Sequence, residues 1–93
     1  ITYKKMTLAL SERTVTVSGK PVTLTYKEFE ILRLLAENRG KVLTRDTLMN
    51  RVWGTEFEGE SRTVDVHIRT LRQKLGEAAE YIETVRNVGY KLS

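Results

Sequence analysis

The stretch SRTVDVHIRTLRQKLG, residues 61–76, decides the fold of this chain. Plotted at about 100° per residue, the spacing of a helix, it divides into two faces. One face is an apolar stripe that consists of Val64, Ile68, Leu71 and Leu75. The opposite face is polar apart from one valine and carries Arg62, Val66, Arg69, Thr70 and Gln73. The pattern predicts an amphipathic helix that buries its stripe in a core and turns the other face outward.

The outward face has the side chains that a DNA major groove requires. Arginine forks suit guanine, amide and hydroxyl groups suit base edges, and an apolar group suits the thymine methyl. Arg69, near the middle of the face, is the best candidate for bidentate recognition of guanine, and Val66 is the candidate for a methyl contact. The alternative is that both are ordinary surface residues, since single exposed apolar side chains are common.

Further candidates lie at the ends and flanks of this helix. Arg62 and Thr63 lie in its first turn, where free backbone N–H groups also favour phosphate. Thr70 and Gln73 suit contacts to either bases or phosphates. His67, the only histidine, is interpreted as a surface residue or a phosphate contact, because one histidine without cysteine cannot form a usual zinc site.

Composition restricts the class of protein. The 93 residues suffice for one domain, 1–93, and the net charge of +4 favours a polyanionic partner without requiring one. The absence of cysteine excludes disulfides and thiolate chemistry and fits the cytoplasm. No apolar run approaches the roughly 20 residues of a membrane span. Since the chain begins at Ile1, we expect an excised domain whose partner domain is missing.

The sequence offers no catalytic or cofactor site. It has no nucleophile–base pair, phosphate loop or metal cluster, and Asp65 and His67 point in different directions on the helix. We therefore predict neither an enzyme nor a cofactor.

The first quarter of the chain is predicted to form strands. Apolar and threonine-rich runs at residues 6–10, 14–17 and 22–24 alternate with turn signals and predict an antiparallel meander. Thr25 and Glu28 then have the spacing of a capping box.

Helices and a hairpin follow these strands. The first helix begins at Thr25 and ends near Gly40, the predicted left-handed cap. Thr44 is the predicted cap of a second helix that ends at Gly54. Residues 81–85 and 89–92 are predicted to form a hairpin. The second and third helices, followed by a hairpin, predict a winged helix-turn-helix.

Arg86, near the hairpin tip, is the second basic candidate. An arginine on a two-stranded projection can enter the minor groove, whose negative potential attracts it; the alternative is a solvated turn residue. Thr84 and Tyr90 flank it as possible phosphate contacts, although Tyr90 can equally be a strand aromatic that covers the core. The sequence does not decide whether Asp65 and Arg72 on the third helix pair with each other or whether Arg72 reaches a phosphate.

The loop before the third helix is acidic and carries Glu56, Phe57, Glu58 and Glu60. Carboxylates would repel a phosphate backbone, so the loop must point away from DNA or serve a partner with a basic surface. Phe57 resembles a small anchor for a protein contact, and the alternative is a solvated loop. The competing hypothesis for the chain is therefore a winged helix that serves mainly as a protein–protein interaction module.

The motifs together resemble a known family. The runs RTVDVHIRTLRQKLG and IETVRNVGYKL closely resemble the DNA-binding effector domain of bacterial OmpR/PhoB-type response regulators. The run LTYKEFEILRLLAENRGKVLTRDTLMNRVWG resembles the first two helices of the same family. The resemblance covers essentially the whole chain.

The resemblance implies an α+β winged helix with an N-terminal four-stranded sheet, and a transcription regulator of a two-component system. Its absent receiver domain would be phosphorylated by a sensor histidine kinase. Two domains would bind direct-repeat half-sites head to tail, and the loop at residues 54–60 would contact RNA polymerase. The implied DNA contacts are Arg62, Thr63, Val66, His67, Arg69, Thr70 and Arg72 on the helix, and Thr84, Arg86 and Tyr90 on the wing.

Two positions depart from the family's pattern. Thr70 stands where many members have a basic residue, so the resemblance does not say which base is read there. Asn87 follows Arg86 where glycine or another small residue is frequent. Asparagine tolerates left-handed backbone, which allows the wing turn to form.

Overall fold

The computed structural model describes residues 1–54 and 62–93. Their elements follow the order strands, helices, hairpin, which confirms the winged helix-turn-helix and the α+β class. The strands are β1 Thr2–Tyr3, β2 Met6–Ala9, β3 Thr14–Val17, β4 Lys20–Val22, β5 Leu43–Thr44, β6 Ile82–Val85 and β7 Gly89–Leu92. The helices are α1 Tyr26–Glu37, α2 Arg45–Trp53 and α3 Arg62–Leu75, followed by a 3₁₀ helix, Gly76–Tyr81.

The first sheet has four antiparallel strands in the order β1-β2-β3-β4, as the family resemblance implied. The meander expected from residue patterns alone lacked β1, whose two residues are too few for a periodic signal. The last strand was predicted at residues 22–24, but it spans Lys20–Val22. Pro21 lies within it, and the missing N–H is tolerated because β4 is an edge strand.

Helix α1 begins with the predicted capping box. The Thr25 hydroxyl accepts from the backbone N–H of Glu28 at 3.2 Å, and the Glu28 carboxylate accepts from the backbone N–H of Thr25 at 2.8 Å. The C-cap is Asn38 rather than Gly40, because the Asn38 side chain and backbone both donate to the Leu34 carbonyl. Gly40 has the predicted left-handed backbone, with φ +85°, two residues later.

Helix α2 begins and ends as predicted. The Thr44 hydroxyl accepts from the backbone N–H of Thr47 at 3.0 Å, and Gly54 is the C-cap. The preceding strand β5 joins β7, so the second sheet has the order β5-β7-β6. The two residues of β5 carry no local signal that they pair with the hairpin.

Helix α3 buries its predicted stripe completely, with Val64, Ile68, Leu71 and Leu75 between 0% and 2% exposed. It packs against both α1 and α2. The 3₁₀ helix after Leu75 was not predicted. Strand β6 begins at Ile82 rather than at the predicted Tyr81, because Tyr81 is the last residue of that helix. Within the two described ranges, no helix has the length and apolarity to cross a membrane.

Candidate nucleic-acid interface

The face of α3 opposite the buried stripe is open to solvent. Val66 is 60% exposed, and Arg62, Arg69 and Gln73 on the same side are exposed as well. Packing of the stripe against α1 and α2 leaves this face no other orientation. The predicted outward direction of these four side chains is confirmed.

Arg69 and Arg86 are two exposed cations that are available to a ligand. Neither makes a hydrogen bond or ion pair with any residue in the ranges 1–54 and 62–93, and both are exposed. Arg86 stands at the end of β6, followed by Asn87 with φ +64°. The left-handed backbone expected for Asn87 is thus present, and the turn is closed by the backbone N–H of Val88, which donates to the Val85 carbonyl at 3.0 Å.

Thr70 is engaged inside the protein. Its hydroxyl donates to the Glu28 carboxylate at 2.5 Å. A phosphate oxygen can only accept a hydrogen bond, and the Thr70 hydroxyl has one hydrogen to donate. A bond from this hydroxyl to phosphate would therefore replace its bond to Glu28. The lone pairs of Thr70 remain available to a donor such as a base amino group.

Glu28 is a buried carboxylate that joins α1 to α3. It is 2% exposed and also accepts from Lys74 Nζ at 2.7 Å. Burial alone would raise its pKa, but hydrogen bonds from Lys74, Thr70 and the Thr25 backbone lower the pKa from 4.5 to about 2. Glu28 is therefore ionised throughout the physiological range, and it orients the side of α3 that carries Thr70 and Lys74.

His67 and Thr63 lie at the border between α3 and the end of α2. The His67 Nδ1 is 2.9 Å from the Thr63 carbonyl oxygen, so Nδ1 carries the proton in this bond. The imidazole meets the Trp53 ring edge to face, with 4.9 Å between centroids. This contact joins two different helices, and no local pattern in the sequence indicates it.

Tyr90 is 4% exposed, and its ring belongs to the core. Its hydroxyl donates to the Asp65 carboxylate, to which Arg45 Nε also donates at 2.8 Å. Of the two readings left open by the sequence, the structure favours the strand aromatic that covers the core. A phosphate contact from the hydroxyl would have to displace its bond to Asp65.

Asp65 and Arg72 do not pair with each other. Burial alone would raise the pKa of Asp65, but hydrogen bonds from Tyr90 and Arg45 lower it below its ordinary value. Burial and the bond to Asp65 raise the pKa of Tyr90. Arg72 Nη2 donates to the Ile82 carbonyl at 2.7 Å and to the Thr84 hydroxyl at 2.8 Å.

Sequence reasoning missed Arg45 and assigned Glu28 only to the capping box. A cation in the first turn of a helix is disfavoured by the helix dipole unless it has a partner, and this was the one local signal that Arg45 pairs elsewhere. The acidic-loop candidates Glu56, Phe57, Glu58 and Glu60 lie outside the described residues.

The chain is similar in sequence to a known family of proteins. Residues 19–92 match the family described as transcriptional regulatory protein, C terminal. The chain is 47% identical over 81 residues to the sensory transduction protein RegX3 of Mycolicibacterium smegmatis, an alignment that covers 84% of this chain and 36% of that protein. The chain spans about two fifths of the length of the curated relatives it matches.

Two solved structures have closely similar folds. The response regulator DrrB of Thermotoga maritima, an OmpR/PhoB homolog, has a TM-score of 0.91 and 35% identity over 100% of this chain and 43% of that one. The RstA DNA-binding domain of Klebsiella pneumoniae, crystallised with the RstA box, has a TM-score of 0.89 and 35% identity over 100% of this chain and 95% of that one.

Proposed function

The chain belongs to the family of C-terminal domains of transcriptional regulatory proteins of the OmpR/PhoB type, and from this we propose that it binds double-stranded DNA sequence-specifically to regulate transcription. The observation that carries the proposal is Val66, 60% exposed between Arg62 and Arg69 on a helix whose other face is fully buried. A free arginine beside an exposed branched apolar group matches the groove chemistry of guanine next to thymine.

Helix α3 enters the major groove in this proposal. Arg69 donates to the O6 and N7 atoms of guanine, and Val66 contacts a thymine methyl group. Arg62 and Thr63 contact phosphates at the start of the helix, where backbone N–H groups add to the attraction. Gln73, two turns after Val66, reaches a base edge or a phosphate.

The hairpin of β6 and β7 is the wing, and it lies at the minor groove. Arg86 enters that groove because the phosphates on both sides concentrate negative potential there. His67 contacts a phosphate through Nε2, which donates when both ring nitrogens carry a proton, since Nδ1 is already held by the Thr63 carbonyl. The flank of the wing that carries Thr84 lies along the phosphate backbone.

We further propose that residues 1–93 form a single domain of a longer protein. This domain acts in the cytoplasm as the output domain of a response regulator whose receiver domain is phosphorylated by a sensor histidine kinase. Two copies bind direct-repeat half-sites head to tail, and the loop with Glu56, Phe57, Glu58 and Glu60 contacts RNA polymerase. Family membership supports these assignments.

A selection from randomised duplexes, followed by a salt titration on the selected duplex, tests the proposal. We expect one enriched half-site and a negative slope of log K against log salt, about 0.9 for each phosphate contact. A random duplex of equal length is the control and should bind more weakly with a similar slope. Failure to bind any duplex would overturn the proposal and favour the protein-interaction alternative.

A further inference from the structure

The wing is tied to α3 at two separate points. Asp65 and Arg72 stand seven residues apart, two helical turns and about 10 Å along the axis. Asp65 accepts from Tyr90 on β7, whereas Arg72 donates to the backbone of Ile82 on β6. One face of the helix thus holds both strands of the hairpin.

The first tie also includes the start of α2. Arg45 Nε donates to the same Asp65 oxygen that accepts from Tyr90, at 2.8 Å. The backbone N–H of Arg45 donates to the Val88 carbonyl in the wing turn at 3.4 Å. Asp65 therefore lies where α2, α3 and the wing meet.

The second tie secures the free edge of the wing. Strand β6 is an edge strand of its sheet, and Arg72 donates to its Ile82 carbonyl and to the Thr84 hydroxyl through one nitrogen. The Tyr90 ring lies between the two ties, with the guanidinium carbons of Arg45 and Arg72 at 5.6 Å and 5.7 Å from its centroid. We call Arg45, Asp65, Arg72 and Tyr90 the wing brace.

We propose that the wing brace sets the distance and rotation of the wing relative to α3, so that Arg72 and Tyr90 act on DNA by positioning Arg86 rather than by direct contact. A single tie would fix a distance but leave the hairpin free to rotate, whereas two ties on different strands fix both. This inference rests on the proposed function for its effect on DNA and on the structure alone for the geometry.

A distance measurement without DNA tests the geometry independently. Since the chain has no cysteine, spin labels can be placed on cysteines introduced at the exposed positions Gln73 and Val88 for pulsed electron resonance. Arg72→Met and Asp65→Asn should each broaden the distance distribution. The matched control is Lys91→Met, which removes the wing ion pair to Glu83 without touching α3 and should leave the distribution unchanged.

A double-mutant cycle then tests the effect on DNA. If the brace acts through Arg86, Arg72→Met and Arg86→Ala should each weaken binding, and the double variant should be within about twofold of the weaker single variant. The salt slope should fall by about one in each single variant and by no more in the double. Effects that multiply, with a slope lower by about two, would mean that Arg72 contacts phosphate directly.

Loss of fold is checked by circular dichroism. If Arg72→Met does not fold, Tyr90→Phe, which removes the hydroxyl and its bond to Asp65, takes its place in both experiments. Unbroadened distances in the folded brace variants would overturn the geometric inference even if DNA binding is confirmed. Broadened distances without any DNA binding would preserve the brace and reject the proposed function.

Discussion

Arg69 is the residue of α3 that we propose reads a guanine. It is exposed and unpaired within the described ranges, so binding DNA breaks no bond inside the protein. We expect Arg69→Ala to weaken binding to the selected duplex by about 1–3 kcal/mol and to relax selectivity at one base pair. Competition against a panel of single-base variants of that duplex measures both effects.

Arg39→Ala is the matched control for Arg69→Ala, because it removes the same charge from a side chain that lies over Tyr3 in the first sheet. It should retain the selectivity profile of the unmodified chain. An unaltered profile in Arg69→Ala itself would show that Arg69 does not read a base.

Thr70 shows why neighbours on one helix differ in role. Arg69 and Thr70 are adjacent, and the helical plot assigned both to the outward face. The Thr70 hydroxyl nevertheless donates to Glu28, 42 residues earlier in the chain. A partner so distant leaves no mark in the local pattern, so the sequence could not distinguish the free residue from the engaged one.

Glu28 links the start of α1 to α3 and makes the stability of the fold depend on pH. Its folded pKa of about 2 is below the ordinary 4.5, so its contribution is fully present above pH 5 and is lost as the pH falls toward 2. The shift corresponds to about 3 kcal/mol. We expect Glu28→Gln to reduce the free energy of unfolding at pH 7 by up to that amount.

The difference in the free energy of unfolding between Glu28→Gln and the unmodified chain should shrink as the pH falls from 5 to 2. Urea unfolding at each pH measures this difference. Glutamine at this position still serves the capping box, so the comparison keeps the helix cap while it removes the charge and one of the two acceptor oxygens. Glu12→Gln, an exposed carboxylate in the β2–β3 turn, is the control and should show no such trend. A difference that stays constant across the titration would contradict an ionised, stabilising Glu28.

The elements themselves were largely predictable, because their signals are local. The stripe of α3, the caps at Thr25 and Thr44 and the turn at Asn87 follow from side-chain spacing and backbone sterics over a few residues. The 3₁₀ helix Gly76–Tyr81 was missed because six residues with two buried side chains, Ala78 and Tyr81, have no distinctive period. Strand β1 was missed from residue patterns for the same reason.

Gly89 lies where strand β5 joins the wing sheet. A Cβ added there would lie 2.0 Å from the Leu43 carbonyl oxygen and 2.8 Å from the Thr44 Cα. Because both atoms belong to the backbone, neither can move aside as a flexible side chain would. We expect Gly89→Ala to destabilise the fold by roughly 1–3 kcal/mol, as overpacking does.

Urea unfolding of Gly89→Ala at neutral pH measures this loss. Val88→Ala, at the neighbouring exposed position of the wing turn, is the control and should change the free energy of unfolding little. Stability equal to that of the unmodified chain would mean that β5 does not pair closely with β7.

The helices, the hairpin and the outward face of α3 follow from local sequence patterns, because periodicity and caps depend on neighbours within a few residues. Which polar side chains on that helix stay free depends instead on contacts between segments that are far apart in the chain. Asp65 and Tyr90, 25 residues apart, and Arg72 and Thr84, 12 residues apart, bond to each other. Burial and hydrogen bonding between distant segments thus separated the residues that hold the wing from Arg69 and Arg86, which remain available to DNA.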